Sequence, residues 1–362
     1  MKEAAGIELA PLTTMRVGGL AARLIVTETT DEIVDVVREV DDAGEPLLVL
    51  SDGSNVVISD DGFAGIVMQI ANSGIAVESG DACEGIFVRV AAGEKWDGVV
   101  ARCCAEGWSG VEMLSGISGL TGATPVQNVG AYGQEVAQTI ASVRTWDRLE
   151  QRVRTFVTAD CEFAYRYSIF KGSEFRGGGR FIVLDVLFQL RPTLMSQPIV
   201  YDALAIGLGV ESGARVPLGD VREAVLVQRR QRGMVFDPHD HDTWSCGSFF
   251  TNPIVSCADF ERLCGVTASR FGVDVPAPPS WPTKGPGVKT SAAWLIQHAG
   301  FDKGYGLPGF ASLSTKHSLA VTNRGSASAT DVVAIAREVR DGVETMFDIR
   351  LVNEPVFVGH AL

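Results

Sequence analysis

Apolar positions recur with the helical period in several segments of the chain. Residues 31–44 carry apolar side chains on one face, begin with acidic residues and end in a glycine. The segment 220–233 has stronger end signals, because Asp220 is a predicted N-cap, Glu223 completes a pair resembling a capping box, and Gly233 stops the helix. The predicted helices are 31–44, 94–106, 220–233, 257–270, 290–299 and 330–346.

Short apolar and β-branched runs, separated by turn residues, predict many strands in the first half of the chain. The run PLLVL at 46–50 is typical of a buried strand, and the tight turn SDGSN at 51–55 follows it. The predicted extended segments are 14–30, 46–50, 56–58, 64–70, 75–78, 86–92, 140–146, 152–157 and 181–190. The fold class is therefore α+β, and a change of style at 191–200 predicts a connection between two domains.

Length and composition agree with two globular domains. The chain has 362 residues, 46% of them apolar, which exceeds one typical core. A membrane span needs a run of about 18 uncharged apolar residues, and none occurs. The first residues lack the apolar core of a signal peptide, so we expect a cytoplasmic location.

The net charge of −13 argues against a nucleic-acid partner, because an acidic surface repels the phosphate backbone. Small phosphorylated ligands stay compatible with this charge if backbone N–H groups or clustered arginines bind them locally. The seven cysteines include no C-x-x-C pair, and the run HDHD at 239–242 is interpreted as a solvated loop. No metal site is predicted, and the thiols are expected to be reduced and mostly buried.

Two glycine-rich loops are candidates for binding an anion. The first is SDGSN at 51–55, and the second has glycines at 116, 119 and 122. This spacing is neither the Rossmann fingerprint nor a P-loop. Glycines at such density let backbone N–H groups approach a pyrophosphate closely, but either loop alone is better explained as a tight turn.

Three further features carry candidate chemistry, each with an ordinary structural alternative. Arg166 lies between two tyrosines, either as an anion ligand or as a surface arginine stacked on aromatic rings. Ser248 lies in GSFFTNP without the G-x-S-x-G pattern of a serine nucleophile, so it is a turn residue unless it has another chemical role. Three arginines lie near the end of the predicted helix 220–233: Arg229, Arg230 and Arg232. Their favourable interaction with the helix dipole is enough to explain them without a binding role.

From about residue 12 to 360, the order of these segments resembles the UDP-N-acetylenolpyruvoylglucosamine reductase family, also called UDP-N-acetylmuramate dehydrogenases. The family element T-x-R-x-G-G is matched at 14–19, the loop G-G-G-S-N at 51–55, and the tract I-P-G-x-x-G-A-x-P-x-Q-N-x-G-A-Y-G at 117–133. The departures from the family pattern are Leu20 and Ser118 in place of prolines, and Ser51 and Asp52 in place of glycines.

The resemblance implies an FAD-binding domain of the vanillyl-alcohol-oxidase/PCMH-like type at 1–195, in two α+β lobes, and a smaller α+β substrate-binding domain at 196–362. FAD is expected to be noncovalent, because none of the five histidines that might tether it lies before residue 239. In the family the glycine loops wrap the FAD pyrophosphate, largely through backbone N–H groups. The matching cofactor residues are Arg16, Gly18, Ser51, Asp52, Gly53, Ser54, Asn55, Val56, Ser115, Gly116, Ile117, Gly119, Gly122, Ala123, Thr124, Gln127, Asn128, Gly130, Ala131 and Tyr132.

The resemblance also implies three catalytic residues. The motif Y-R-x-S-x-F-K at 165–171 makes Arg166 the catalytic arginine, and G-S-F-F-x-N-P at 247–253 makes Ser248 the proton donor. Glu354, which a C-terminal strand is expected to return to the active site, aligns with the catalytic glutamate. Pro355 restrains Glu354 to extended backbone. The implied substrate contacts are Tyr165, Tyr201, Arg229, Arg232, Asn252, Lys289 and Gln297, with Tyr201 matching the subclass that has a substrate-capping loop.

The implied reaction is the NADPH-dependent reduction of UDP-N-acetylglucosamine enolpyruvate to UDP-N-acetylmuramate in peptidoglycan precursor synthesis, by hydride transfer from reduced FAD. NADPH and the enolpyruvyl substrate are expected to share one cleft, in a monomer or a weak dimer. Arg166 and Glu354 would stabilise an enolate-like charge, which predicts a raised pKa for Glu354, and Ser248 would protonate the carbon. The alternatives are a flavin-dependent alcohol or sugar oxidase on the same fold and a non-catalytic nucleotide-sugar binding protein.

Overall fold

The computed structural model describes residues 1–81, 84–272, 275–283 and 285–362. Every helix predicted from apolar periodicity is confirmed, with both ends within about two residues of their predicted positions, the usual uncertainty of a helix end. The short helices α3 and α4 were not predicted. In chain order the helices are α1 (Thr30–Ala43), α2 (Trp96–Ala105), α3 (Ile169–Gly172), α4 (Asp202–Leu208), α5 (Leu218–Gln231), α6 (Cys257–Phe271), α7 (Ala292–His298) and α8 (Ala329–Phe347).

The predicted N-cap of α5 is wrong. Pro217 precedes the helix, and Asp220 lies in its first turn with its N–H bonded to the Pro217 carbonyl at 3.1 Å. The proline holds φ at −52°, which suits the start of a helix. Pro217 therefore marks the start of α5 in place of the predicted pair of Asp220 and Glu223. The predicted stop is confirmed, because Gly233 has a left-handed φ of +67° directly after the helix.

The predicted strands are also confirmed, except that the predicted extended segment 14–30 forms a strand only at Leu20–Thr27, and the structure adds others. Strand β1 was missed because it is exposed along most of its length and carries no alternating apolar pattern. In chain order the strands are β1 (Lys2–Glu8), β2 (Leu20–Thr27), β3 (Leu47–Leu50), β4 (Val56–Ile58), β5 (Phe63–Ile70), β6 (Ile75–Asp81), β7 (Gly85–Ala91), β8 (Trp108–Ser109), β9 (Gly130–Ala131), β10 (Gln134–Glu135), β11 (Ile140–Asp147), β12 (Arg152–Val157), β13 (Glu174–Phe175), β14 (Gly178–Gly179), β15 (Phe181–Pro192), β16 (Ile254–Val255), β17 (Ser280–Pro282), β18 (Val288–Thr290), β19 (Ala311–Leu313), β20 (Val321–Asn323) and β21 (Val356–Val358).

The chain forms two compact units, and the first consists of residues 1–8, 20–53 and 63–235. One of its sheets has the order β1-β2-β5-β3, in which β2, β5 and β3 run parallel. A larger antiparallel sheet has the order β12-β11-β15-β7-β6, and β8 pairs with β15. The buried faces of α1 and α2 join the same apolar core as these sheets, as expected for amphipathic helices.

The second unit consists of residues 9–19, 54–62 and 236–362. Its core gathers one face of α8, the helix α7, the β19–β20 hairpin and the side chains of Phe249 and Phe250. Strand β21 runs parallel to β4, and β16, β18 and β17 form a small antiparallel sheet. Pairing of β21 with β4 joins the C-terminal segment to a strand from the first sixth of the sequence.

These units differ from the predicted domains 1–195 and 196–362. Residues 196–235 belong to the first unit, because α5 buries Val221 and Val225 against Met113 and Leu204 in a small core of that unit. The early segments 9–19 and 54–62 belong to the second unit. Strand pairing with distant segments decides this assignment, and such pairing leaves no local pattern in the sequence.

Candidate functional site

The glycines of the second loop are required by the backbone. The Gly122 N–H donates to the Ala92 carbonyl at 2.8 Å, and a Cβ at Gly122 would lie 2.7 Å from the Ala92 Cβ. Gly116 and Gly119 have φ values of +71° and +125°, which other residues rarely adopt. The loop is therefore a tight turn, and its role in holding a cofactor stays a prediction.

Ser51 and Asp52, the residues that replace two family glycines, hold the second loop. The Gly119 N–H donates to the Asp52 Oδ2 atom at 2.5 Å, and the Leu120 N–H donates to the Ser51 Oγ atom at 2.9 Å. The paired residues are 67 and 69 positions apart, so local sequence does not reveal these bonds. We call the set of Ser51, Asp52, Gly119 and Leu120 the loop clasp.

Asp97 also supports the second loop, and sequence reasoning missed it. Its Oδ1 atom accepts from the Gly116 N–H at 2.6 Å, and Arg222 of α5 binds both carboxylate oxygens at 2.6 and 2.9 Å. Burial alone would raise the pKa of Asp97, but the hydrogen bonds from Arg222 and Gly116 hold it below its ordinary value. Asp97 therefore remains ionised and fixes one end of the loop to α5.

Arg166 contacts the end of the glycine-rich tract. Its Nη2 atom donates to the Gly130 carbonyl at 2.7 Å, and its guanidinium lies 5.2 Å from the centre of the Tyr165 ring. The aromatic stacking considered as an alternative is thus present, although Arg166 is half-buried rather than exposed. Its φ of +54° is left-handed for a residue that is not glycine, the kind of backbone strain that concentrates at functional sites.

The Arg166 segment is further cross-linked to the tract. The Lys171 ammonium donates to the Gln127 side chain at 2.8 Å, and the Ser168 hydroxyl donates to the Val126 carbonyl at 2.8 Å. Buried Asn128 donates to the Ala164 carbonyl at 3.0 Å. The structure therefore brings the predicted catalytic arginine and the predicted cofactor residues Gln127, Asn128 and Gly130 together in the first unit.

A second group in the first unit combines Tyr132 with predicted substrate residues. The Tyr132 and Tyr201 rings meet edge to face, with centres 5.4 Å apart. Burial raises the pKa of Tyr132, against the opposing effect of the positive charges of Arg229 and Arg232. Tyr132 therefore stays a neutral phenol beside two cations.

The three arginines near the end of α5 have different environments. The Arg229 Nη2 atom donates to the Met234 carbonyl at 2.8 Å, while its buried Nε atom has no hydrogen-bond partner among the residues that the structure describes. Burial lowers the pKa of Arg229. Arg230 is exposed and pairs with Glu223 at 3.4 Å. Arg229 and Arg232 thus join the Tyr132 group, whereas Arg230 is a surface residue.

Ser248 and Glu354 lie on paired segments of the second unit. The Glu354 N–H donates to the Phe249 carbonyl at 2.9 Å, and the Thr251 N–H donates to the Val352 carbonyl at 2.9 Å. Both Ser248 and Glu354 are half-buried. Glu354 therefore pairs through its backbone with Phe249, the residue directly after Ser248.

The surroundings fix both residues. Phe249 and Phe250 are buried, with ring centres 5.3 Å apart, and pack as core residues behind the turn. On the other side, the Asn55 amide donates to the Glu354 carbonyl at 3.4 Å, and the Val356 N–H donates to the Asn55 carbonyl at 3.0 Å. The predicted cofactor residue Asn55 thus lies beside the predicted catalytic Glu354.

Asn252 and Lys289 lie on neighbouring segments. The Asn252 Oδ1 atom accepts from the Ala292 N–H at the start of α7, at 3.0 Å. Lys289 of β18 pairs with Ile254 of β16, and its Nζ atom lies 5.9 Å from the Trp281 ring centre. Gln297 is exposed on α7. Asn252 has a structural partner here, and its contact with a substrate stays a prediction.

Arg16 is held by groups of the second unit. Its Nη1 atom donates to the Pro11 carbonyl at 2.5 Å, and its guanidinium lies 5.1 Å from the Phe236 ring centre. Asn323, a residue that the sequence did not single out, donates to the Arg16 carbonyl at 3.1 Å. A Cβ at Gly18 would lie 3.1 Å from the Ile58 Cβ, which explains the glycine.

The predicted site residues are divided between the units. The first unit contains Ser51, Asp52, Gly53, Ser115, Gly116, Ile117, Gly119, Gly122, Ala123, Thr124, Gln127, Asn128, Gly130, Ala131, Tyr132, Tyr165, Arg166, Tyr201, Arg229 and Arg232. The second unit contains Arg16, Gly18, Ser54, Asn55, Val56, Ser248, Asn252, Lys289, Gln297 and Glu354.

The interpretation of 239–242 as a solvated loop is wrong for its last residue. Asp242 is buried and accepts hydrogen bonds from the Thr315 N–H at 2.8 Å, the Ser314 hydroxyl at 3.1 Å and Arg324 at 2.8 Å. These donors satisfy a carboxylate that burial alone would destabilise. Among the described residues, no group of three or more potential ligands is placed to hold a metal ion.

Comparison with known proteins gives the chain its family. Residues 237–358 match the family model described as UDP-N-acetylenolpyruvoylglucosamine reductase, C-terminal domain, and residues 21–155 match an FAD binding domain. A UDP-N-acetylenolpyruvoylglucosamine reductase of Thermobifida fusca is 52% identical over 99% of both chains. The chain belongs to the UDP-N-acetylenolpyruvoylglucosamine reductase family. A member from Streptomyces avermitilis is 50% identical over 97% of this chain and 93% of that relative.

The fold agrees with the family. A crystal structure of UDP-N-acetylenolpyruvylglucosamine reductase from Thermus caldophilus has a TM-score of 0.63 and covers 99% of this chain and 98% of that chain, at 23% identity. The predicted family, the fold class, the assignment as an FAD-containing oxidoreductase and the use of FAD and NADPH are thereby confirmed. The C-terminal family model begins at residue 237, next to the start of the last segment of the second unit at 236. No helix of the described chain is both long and apolar enough to span a membrane.

The donor groups present suit the FAD expected in this family. Gly122 leaves no room for a side chain, and Gly116 and Gly119 keep left-handed turns open. The first and second glycine loops meet at the loop clasp through backbone N–H groups, the kind of donor that approaches a pyrophosphate in other nucleotide sites. The residues that would hold FAD are those of the two loops and of the tract up to Tyr132.

Proposed function

We propose that this chain reduces UDP-N-acetylglucosamine enolpyruvate to UDP-N-acetylmuramate with NADPH, in the synthesis of peptidoglycan precursors. Its 52% identity to a reductase of that name over 99% of both chains supports the proposal. When bound, FAD supplies the redox chemistry by taking a hydride from NADPH and giving it to the enol ether. The protein residues bind the substrate, orient it and handle charge and protons.

The observation that carries the residue roles is the pairing of Glu354 with Phe249 at 2.9 Å. It pairs Glu354 with Phe249, the residue that follows Ser248, on two hydrogen-bonded segments that are supported by two buried phenylalanines. In this proposal the Ser248 hydroxyl delivers the proton to the substrate carbon. A serine hydroxyl is a weak acid in water, so this role requires a site that polarises it.

Glu354 would stabilise the negative charge that develops on the substrate. A carboxyl group beside new negative charge helps only when it donates a hydrogen bond, which requires it to be protonated. The raised pKa predicted for Glu354 follows from this requirement. Titration of the activity of wild type and Glu354→Gln tests it: the glutamine keeps a donor, so the wild-type loss of rate at high pH should be absent from the variant.

Arg166 would bind the substrate carboxylate. Its guanidinium has two N–H edges suited to a carboxylate, and its bond to the Gly130 carbonyl restricts its orientation. Arg229 and Arg232 beside Tyr132 and Tyr201 would bind the diphosphate of the sugar nucleotide, since clustered arginines and a neutral phenol offer donors to phosphate oxygens. The membership of Tyr201 in a substrate-capping loop stays a prediction.

The half-reactions separate these roles experimentally. Under anaerobic conditions, Ser248→Ala should still be reduced by NADPH, while its reoxidation by the enolpyruvyl sugar nucleotide should slow at least about a hundredfold, the scale of a general-acid contribution. Ser280→Ala, at an exposed serine of the second unit, is the matched control and should behave like wild type. Unchanged reoxidation in Ser248→Ala would remove Ser248 as the proton donor.

The flavin spectrum of the purified protein, and reoxidation of the reduced protein in air compared with reoxidation by substrate, distinguish the alternatives. A flavin oxidase would reoxidise rapidly in air and would ignore the enolpyruvyl substrate, and a binding protein would not carry a flavin spectrum. The cytoplasmic location, the shared cleft for NADPH and substrate, and the monomeric or weakly dimeric state stay predictions. Light scattering across protein concentrations tests the last of them.

A further inference from the structure

Asp97 connects three elements of the first unit through one carboxylate. It lies in the first turn of α2, where the helix dipole favours a negative charge. Its Oδ1 atom accepts from the Gly116 N–H of the second glycine loop at 2.6 Å. The Arg222 guanidinium of α5 donates to Oδ1 and Oδ2 at 2.6 and 2.9 Å. The carboxylate therefore fixes α2, the second glycine loop and α5 relative to one another.

The face of α5 that contains Arg222 also packs against the loop. Arg222, Leu226 and Arg229 follow one another at intervals of four and three residues, which places them on one side of the helix. A Cβ at Gly116 would lie 2.8 Å from the Leu226 Cδ2 atom and 3.4 Å from the Arg229 Cδ atom. The loop backbone is thus packed closely against the stem of a predicted substrate arginine, and a shift of α5 along the loop would displace Arg229.

Charge also links Asp97 to this end of α5. Burial would raise the pKa of Asp97, but the hydrogen bonds from Arg222 and Gly116 and the positive charge of Arg229 hold it below its ordinary value. Burial lowers the pKa of Arg229, and the negative charge of Asp97 opposes this effect. Asp97 therefore favours the charged form of Arg229, the form that binds an anion.

We propose that Asp97 is a positioning residue for the sugar nucleotide: through Arg222 it holds α5 in the place from which Arg229 and Arg232 reach the substrate diphosphate. This inference rests on the proposed function, in which those two arginines bind the diphosphate. Asp97 acts through α5 and not through a bond to the substrate. Its removal should therefore change the affinity for the substrate and leave the chemical steps, which depend on FAD and the catalytic residues, unchanged.

Two substitutions of similar size test the pair in the FAD-loaded protein. Asp97→Asn keeps Oδ1 as an acceptor for the Gly116 N–H group but presents an amide NH₂ group to Arg222, and Arg222→Gln removes the guanidinium. In each variant we expect the KM for the enolpyruvyl sugar nucleotide to rise about tenfold, a size typical of coupling between residues in contact, with kcat within about twofold of wild type. Binding of UDP-N-acetylmuramate, the proposed product, should weaken by a similar factor when measured by calorimetry.

The double variant, with Asp97→Asn and Arg222→Gln together, distinguishes one pair from two independent residues. If Asp97 acts through Arg222, the double variant should bind the product about as weakly as either single variant. Two controls remove the same charges elsewhere in the first unit and should bind the product like wild type. They are Arg230→Gln, at an exposed arginine of α5, and Asp42→Asn, at an exposed carboxylate of α1.

The flavin content of the purified protein separates α5 from the loop itself. Asp97→Asn retains the acceptor for Gly116, so we expect it to carry as much flavin as wild type. Weaker product binding accompanied by loss of flavin would assign Asp97 to the loop alone and overturn the inference. Wild-type product affinity in both single variants, or losses that add in the double variant, would also overturn it while leaving the proposed function intact. A wild-type chain that neither binds the product nor reduces the enolpyruvyl substrate would overturn both.

Discussion

The two groups of candidate catalytic residues are held in place by different means. In the second unit, Ser248 and Glu354 are fixed by backbone pairing and by the buried rings behind the turn. In the first unit, Arg166 and the glycine-rich tract are fixed by side chains that bond to distant backbone groups, including Asn128 and Asp97. The second-unit site thus depends mainly on backbone pairing and core packing, whereas the first-unit site adds polar side-chain bonds to the backbone bonds of its loop, such as that from Gly122 to Ala92.

This difference bears on two departures of the chain from its family, Ser51 and Asp52, while nothing in the structure explains Leu20 and Ser118. The motif GSFFTNP matches the family completely, because its phenylalanines, its asparagine and its turn all have structural partners. The first glycine loop tolerates Ser51 and Asp52 because each side chain accepts a hydrogen bond from the loop that it faces. A site built from side chains can exchange one acceptor for another, while a site built from paired backbone cannot.

The largest expected effect comes from the core behind Ser248. Phe249 is completely buried, follows Ser248 in the chain, and accepts the backbone hydrogen bond from Glu354. Phe249→Ala should cost about 3–5 kcal/mol of unfolding free energy, the usual loss for a deleted buried aromatic ring. Denaturant unfolding measures it, and Phe310→Ala, at a ring that is 63% exposed, is the control. A loss below about 1 kcal/mol would show that the core does not hold the turn.

A smaller loss is expected in the first unit from Asn128→Ala. The Asn128 side chain is buried, donates to the Ala164 carbonyl at 3.0 Å and accepts from the Ala137 N–H at 3.2 Å. Its removal leaves these groups without their partner, at a cost of about 1–3 kcal/mol. Because Arg166 bonds to the same tract, reoxidation by substrate should also slow, whereas Gln231→Ala, at the exposed last residue of α5, should change neither property. If Asn128→Ala loses stability but its reduced flavin is reoxidised by substrate at the wild-type rate, Asn128 does not position Arg166.

The sequence predicted what depends on local periodicity and on contiguous motifs. The helices follow from their apolar faces, and the family motifs located Arg166, Ser248 and Glu354. What it did not predict involves residues that are far apart in the chain. The clasp joins residues 67 positions apart, and Asp97 pairs with Arg222 across 125 positions. Neither separation leaves a local pattern.

Local signals also failed where a stronger neighbour competed with them. Asp220 has the side chain of an N-cap, but Pro217 sets the entry of α5 earlier. Asp242 lies in a run of polar residues, yet donors from Ser314, Thr315 and Arg324 compensate for its burial. A neighbouring proline outweighs the capping preference of Asp220, and tertiary contacts outweigh the preference of Asp242 for solvent.

The smallest expected effect tests the side-chain scaffold through its pH dependence. The folded pKa of Asp97 lies below its ordinary value, so its contribution to stability is present above the unfolded pKa of about 3.9 and is lost as the pH falls through the folded value. Arg222→Gln removes the main partner, and we expect a loss of about 1 kcal/mol at pH 7, because the Asp97 side chain is 41% exposed. The difference between wild type and variant should shrink below about pH 4 as Asp97 becomes protonated. Arg230→Gln, at the exposed pair with Glu223, should show little loss at either pH, and a pH-independent loss in Arg222→Gln would mean that packing, not charge, fixes the loop to α5.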